Sequence, residues 1–171
     1  LARHAPEAPR LGIGLVLPPG FEDMEWLGRG PHESYCDRQA GAAVGRWRDT
    51  VANRYVPYVM PQEHGNLTDV RWIAVANRRL GLLVAAQGEL FQASASHFTA
   101  ADLFAARHTC DLRPRPETFL DIDCRQRGLG TATCGPDTLA PYRIPPGPYR
   151  LAWRMRLFDP RRDDPGALAR S

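Results

Sequence analysis

Lysine is absent from the 171 residues; all 22 basic side chains are arginine. Against 19 acidic residues they leave a formal charge of +3, too small for a strongly basic partner-binding chain. Arg150, Arg154 and Arg156 are interleaved with apolar residues rather than gathered into a stripe, so nucleic acid is not an expected partner. No apolar run approaches the roughly 18 residues of a membrane span. Residues 1–10 lack a signal-peptide core. A cytoplasmic protein with no membrane partner is expected. Cys36, Cys110, Cys124 and Cys134 form no C-x-x-C pair, which argues against structural zinc and for four thiols in a reducing compartment. There is no H-E-x-x-H, no G-x-S-x-G and no internal repeat. The pairs Gly28/Gly30 and Gly128/Gly130 do not make a G-x-G-x-x-G opening a helix. They read as tight turns needing positive φ.

What is present is strand. The length suits about one domain. Leu1 rather than Met at the first position suggests a piece of a longer chain. The expected organisation is a linker over 1–10, one domain over 11–158 that lacks its first strands, and a disordered tail over 159–171. Leu11 to Leu17 is apolar and ends at Pro18-Pro19-Gly20. Met24, Trp26 and Gly28 alternate with Glu25 and Leu27. Asp69 to Ala76 reads as one strand with a buried face, and Gly81 to Ala86 follows it through a hairpin. Leu90 to Ser96 places Phe91, Ala93 and Ala95 on one face. Phe119 to Cys124 places Leu120, Ile122 and Cys124 opposite Asp121 and Asp123. Tyr149 to Phe158 is the last strand. Short strands at this spacing predict an all-β antiparallel sandwich. One helix is predicted, capped by Thr99 with Asp102 three residues on, with Ala101, Phe104 and Ala105 sharing a face.

Few residues look reactive. A retaining glycosidase needs two carboxyl groups about 5 Å apart. Asp121 and Asp123 are the clear same-face pair, and a solvated strand face is the expected role for them. The doublets His32-Glu33 and Glu63-His64 lie on loops, where neighbouring side chains diverge; bonding to loop backbone is expected. Trp26, Tyr35, Trp47, Tyr55, Tyr58, Trp72 and Trp153 could stack on sugar C–H faces, although most are expected in the core.

Three blocks carry a resemblance. The run from Trp26 to Arg38, with Gly28, Gly30, Pro31, Glu33, Tyr35, Asp37 and Arg38, is similar to the small-chain signature of glycoside hydrolase family 2 β-galactosidases, with Ser34 where Asn is usual. Pro57 to Gly65, containing Pro61, Glu63 and Gly65, resembles a second block, with His64 replacing Asn. Gly128-Leu129-Gly130 and Cys134-Gly135-Pro136 resemble the last. The blocks occur in family order between about Leu11 and Phe158.

The resemblance implies an antiparallel supersandwich related to galactose mutarotase. It implies that the catalytic glutamates lie in an absent TIM barrel, and that the family's magnesium and sodium ions are bound in other domains, leaving no cofactor here. The chain would complete the sugar-binding site of an enzyme hydrolysing terminal β-D-galactose from β-galactosides such as lactose. It would be inactive alone, and its partners would be the remaining domains or a large chain, in a homo-oligomer. Cys134 takes the place of a Trp that walls the sugar site in some relatives, so it is the expected substrate-contacting residue. The structural motif residues are Gly28, Gly30, Pro31, Glu33, Tyr35, Asp37, Arg38, Pro61, Glu63 and Gly65; a knot closed by Arg38 on Glu33 or Asp37 is expected. The alternatives are a stand-alone carbohydrate-binding module and a mutarotase-type enzyme using His as acid and Glu as base.

Overall fold

The computed structural model describes residues 7–130 and 135–171. The alternation read above folds into two antiparallel sheets. In chain order the strands are β1 (Arg10–Leu17), β2 (Asp23–Gly30), β3 (Ala43–Thr50), β4 (Leu67–Val70), β5 (Trp72–Ala76), β6 (Gly81–Ala86), β7 (Phe91–Ser96), β8 (Thr118–Gln126) and β9 (Trp153–Phe158). One sheet runs β1-β8-β7-β4, the other β3-β2-β5-β6-β9. Their inner faces meet in one core. Met24, Trp26, Ile73, Val75, Leu82 and Val84 of the larger sheet pack on Leu67, Val70, Phe91, Ala93, Leu120 and Ile122 of the smaller. Period-2 alternation puts such residues on one side of each strand, and removing that side from water drives the pairing. The expected all-β antiparallel sandwich is thus observed.

Several details differ from the sequence reading. The run Asp69 to Ala76 is not one strand. β4 ends at Val70 in the smaller sheet, β5 begins at Trp72 in the larger, and Arg71 is the corner between them. Asp69 takes φ 54°, a left-handed conformation that Asp tolerates better than most residues. Its neighbour Val70 also forces Gly28 to lack a side chain: a Cβ there would lie 3.1 Å from the Val70 Cα. Gly28 and Gly30 therefore sit inside β2 because backbone and rings approach closely, and not in positive-φ turns; Gly130, at φ 64°, does fit the turn reading.

β3 has no counterpart in the sequence reading. Its exposed and half-exposed pattern, Ala-Val-Gly-Arg-Trp-Arg-Asp-Thr, lacks a clean apolar face because it is an edge strand.

The helix α1 (Ala100–Ala105) has the predicted cap, with Thr99 and Asp102 bonding reciprocally. Its buried residue is Leu103, which packs with Ala106 and Leu112, whereas Phe104 is 92% exposed.

The tail, expected to be disordered, is placed through Ser171 and holds a short helix, α2 (Pro165–Leu168), capped by Asp164. Leu168 and Ala169 pack on the outer face of the larger sheet beside Trp72 and Phe158. Arg46 bonds Asp164 from β3, and Arg154 donates to the Leu168 and Ala169 carbonyls. These anchors hold the tail despite its Pro, Gly and charged residues.

Candidate functional site

The first two sequence blocks meet at one end of the sandwich, where Glu33 is the hub. Its carboxylate accepts from the Tyr58 hydroxyl, from Arg38 and, at 2.6 Å, from the Gly65 amide. Gly65 has φ 76°, which presents that amide and explains why the second block needs Gly there. The Glu33 side chain is only about 10% exposed, so these three donors replace its water. Burial and Glu33 together push the Tyr58 phenol above its ordinary range.

Pro31, joined to Gly30 by a cis peptide, receives Arg54 on its carbonyl at 2.6 Å. Arg54 also lies over the Trp26 ring, 5.1 Å from its centroid, which ties the knot to the core. Pro61, in the second block, is buried.

Tyr35 is fully buried beneath the knot, under the Arg38 guanidinium at 5.3 Å. Burial and then the neighbouring carboxylates Glu63 and Glu33 hold its phenol protonated far above the normal range. Ser34, where the family pattern has Asn, is buried and shares a hydrogen bond with Thr68 at 2.9 Å. His64, the other departure, bonds the Gln62 carbonyl and meets the Tyr55 ring edge-on at 5.1 Å. Both departures are internal packing solutions. His32 is exposed, so the His32-Glu33 doublet does diverge.

Of the two carboxylates named for Arg38, the structure pairs it with Glu33 and leaves Asp37 to another role. Asp37 instead accepts from the Leu129 and Gly130 amides, at 3.2 and 2.8 Å. A Cβ on Gly128 would lie 2.6 Å from its carboxyl carbon, so glycine is required for the close approach. The first block therefore holds the last. Cys134, expected to contact substrate, lies outside the described residues.

A second network was not legible in sequence. Arg10 reaches Asp123 through Nε at 3.0 Å and Asp121 at 2.8 Å. It lies 3.9 Å from Glu63, which accepts from Gln126 at 2.9 Å and from Tyr35 at 3.5 Å. The solvated-face reading of Asp121 and Asp123 is corrected here, because Asp123 is 2% exposed. Burial raises its pKa; Arg10 opposes this, and Asp121 and Glu63 add to it. Nothing in the sequence marked Arg10, since Asp121 and Asp123 are over a hundred positions away.

The carboxylates of these networks are held by arginines, amides and a phenol, which suits bracing of loops more than proton transfer. Among the described residues no three His, Cys, Asp or Glu side chains are grouped as metal ligands. Beside the Asp37 clamp, a cleft of about 470 Å³ opens between the Cys36–Gln39 turn, β7, the end of β8 and the 141–149 loop.

The fold and these networks define a class: an antiparallel β-sandwich domain whose polar signature residues tie loops together at one end. The chain belongs to the family described as beta galactosidase small chain, whose model matches residues 2–155. It is 32% identical to a β-galactosidase of Vibrio cholerae over 163 residues, 94% of this chain and 15% of that protein. It is 33% identical to one from an Arthrobacter species over 86% of this chain and 15% of that protein, and 33% identical to one from Kluyveromyces lactis over 81% and 13%. No helix is long and apolar enough to cross a membrane among the described residues. The chain thus spans about one seventh of the relatives it matches.

Proposed function

We propose that this chain is the C-terminal domain of a β-galactosidase, an enzyme releasing terminal β-D-galactose from β-galactosides such as lactose. In this reading the chain completes the sugar-binding site, while other domains supply the catalytic glutamates and hold magnesium and sodium. Its partners are those domains or a large chain, within a cytoplasmic homo-oligomer. The observation that carries the reading is the convergence of the three family blocks: Glu33 grips Gly65, and Asp37 grips Leu129 and Gly130. Such a scaffold positions a loop for another domain's chemistry, as supporting shells do at active sites.

The test is turnover of a chromogenic β-galactoside by the 171-residue protein and by the same chain joined to a family barrel. Activity is expected only in the joined protein. Turnover by the isolated chain that disappears in Asp121→Asn or Glu33→Gln would overturn the assignment. In the joined protein, Cys134→Trp is expected to change KM on lactose and an aryl galactoside more than kcat, by adding a flat stacking face. Unchanged KM and kcat, with no effect of a bulky thiol reagent on Cys134, would remove that residue from the site.

A further inference from the structure

We propose that the 470 Å³ cleft beside the Asp37 clamp is a binding site for a neutral saccharide, with Tyr142 and Tyr149 as stacking walls and Gln39 and Gln92 as its polar contacts. Its size falls within the roughly 300–1,000 Å³ of small-ligand sites. The inference deepens the proposed function and rests on it only for the choice of a β-galactoside as probe.

The polar inventory of the cleft selects the ligand class. Its ionised groups have partners outside the cleft or on nearby carbonyls. Asp69 pairs with Arg29 at 2.6 Å. Arg143 pairs with Glu7 and donates to the Thr138 carbonyl at 2.6 Å. Arg125 donates to the Cys124 carbonyl. The neutral amides remain. Gln126 is 6% exposed; its amide nitrogen is turned to Glu63, and its amide oxygen has no partner among the described residues. Gln92 is oriented by Asn66, which donates to its amide oxygen at 2.8 Å and leaves its NH2 group as the donor end. A neutral amide donor of this kind suits a ligand hydroxyl, which can accept from it.

The Tyr149 ring and the Tyr142 backbone are held in place. Tyr149 donates its hydroxyl to the Pro145 carbonyl, and the Tyr142 carbonyl accepts from the Gly128 amide at 2.8 Å. The same Gly128 segment is held by Asp37, so signature residues of the first and last blocks hold this wall of the cleft in place. Aromatic walls with neutral amides accept a sugar's apolar C–H face and its hydroxyl rim together.

The experiment titrates the 171-residue protein with lactose and, separately, with inorganic phosphate, by calorimetry and by amide chemical shifts. Saturable lactose binding is expected, with shifts at residues 90–92, 124–126 and 141–149. Tyr142→Ala and Tyr149→Ala should each weaken it about 3- to 10-fold. Absence of lactose-induced shifts at those residues in the unmodified protein would overturn the proposal, even if a variant folds poorly. So would lactose binding that both tyrosine variants retain in full. Phosphate binding that is lost in Arg125→Gln, without lactose binding, would reassign the cleft to anions. Each of these failures leaves turnover by the joined protein unaffected, so the cleft and the β-galactosidase reading fail separately.

Discussion

Asp123 keeps its place in β8 through Arg10. With the guanidinium removed, a carboxyl that is 2% exposed would face Asp121 and Glu63 without a cation. Arg10→Ala is expected to cost about 3 kcal/mol, the lower end of the range for breaking a buried pair, because Arg10 is itself partly exposed. Denaturant unfolding should show Asp123→Asn restoring part of that loss in the double variant. The pH dependence has a definite sign. The folded pKa of Asp123 is raised above its ordinary 3.8, so its contribution is most favourable below that value and declines as pH rises through the folded one. Arg10→Ala should therefore be closer to wild type at pH 4 than at pH 7, and an unchanged gap would refute the coupling. Within the knot, Glu33 matters more than Arg38. Glu33 is nearly buried with three donors, whereas the Arg38 side chain is half exposed. Glu33→Ala should cost about 2–3 kcal/mol and Arg38→Ala about 1 kcal/mol, without a change in saccharide affinity. Thermal melts that rank the two the other way would move the hub.

At the scale of elements, α1 has only six residues and depends on its cap. Asp102 closes the capping box and receives Arg115 through two bonds, at 2.7 and 2.8 Å. The Arg115 guanidinium is the main cause holding this carboxyl well below its ordinary 3.8. Stability from a depressed carboxylate is present above the ordinary value and lost as pH falls toward the folded one. Amide exchange in α1 should accelerate below about pH 4, and Asp102→Asn should make exchange fast and nearly pH-independent once intrinsic rates are divided out. The tail is a second element with a defined role. Deleting 159–171 removes Leu168 and Ala169 from Trp72 and takes Asp164 from Arg46, which keeps Glu25. A loss of about 2 kcal/mol, near the value of one buried Leu, is expected. Trp emission should shift to the red; a melt and spectrum like wild type would mean the tail does not cover that face.

For the whole molecule, the β1 edge of the smaller sheet has a consequence for association. Among the described residues β1 pairs only with β8, which leaves its other side open. The strand is apolar, and Val16 is 64% exposed. An open edge of this kind promotes strand addition, and a lysine there opposes it. Sedimentation velocity should show concentration-dependent association that Val16→Lys reduces. A monodisperse monomer at high concentration would mean that the edge does not attract strands.

Alternation made β2, β7 and β8 legible, because their inner faces carry most of their large apolar side chains, and the hairpin signal before it marked β6. The Thr99 and Asp102 cap was equally readable, since its partners lie three residues apart. The three signature blocks, read in order, were sufficient to indicate the family. None of this local information contains the bend at Arg71, where the strand passes from one sheet to the other. It also does not contain β3, whose edge position removes the apolar face that would announce it. The site depended on tertiary structure most of all. Arg10 finds Asp123 across 113 positions, and Asp37 finds Gly130 across 93. Local patterns report which face a residue prefers. Which distant partner satisfies a buried charge depends on how the sheets stack, and only the folded chain decides that.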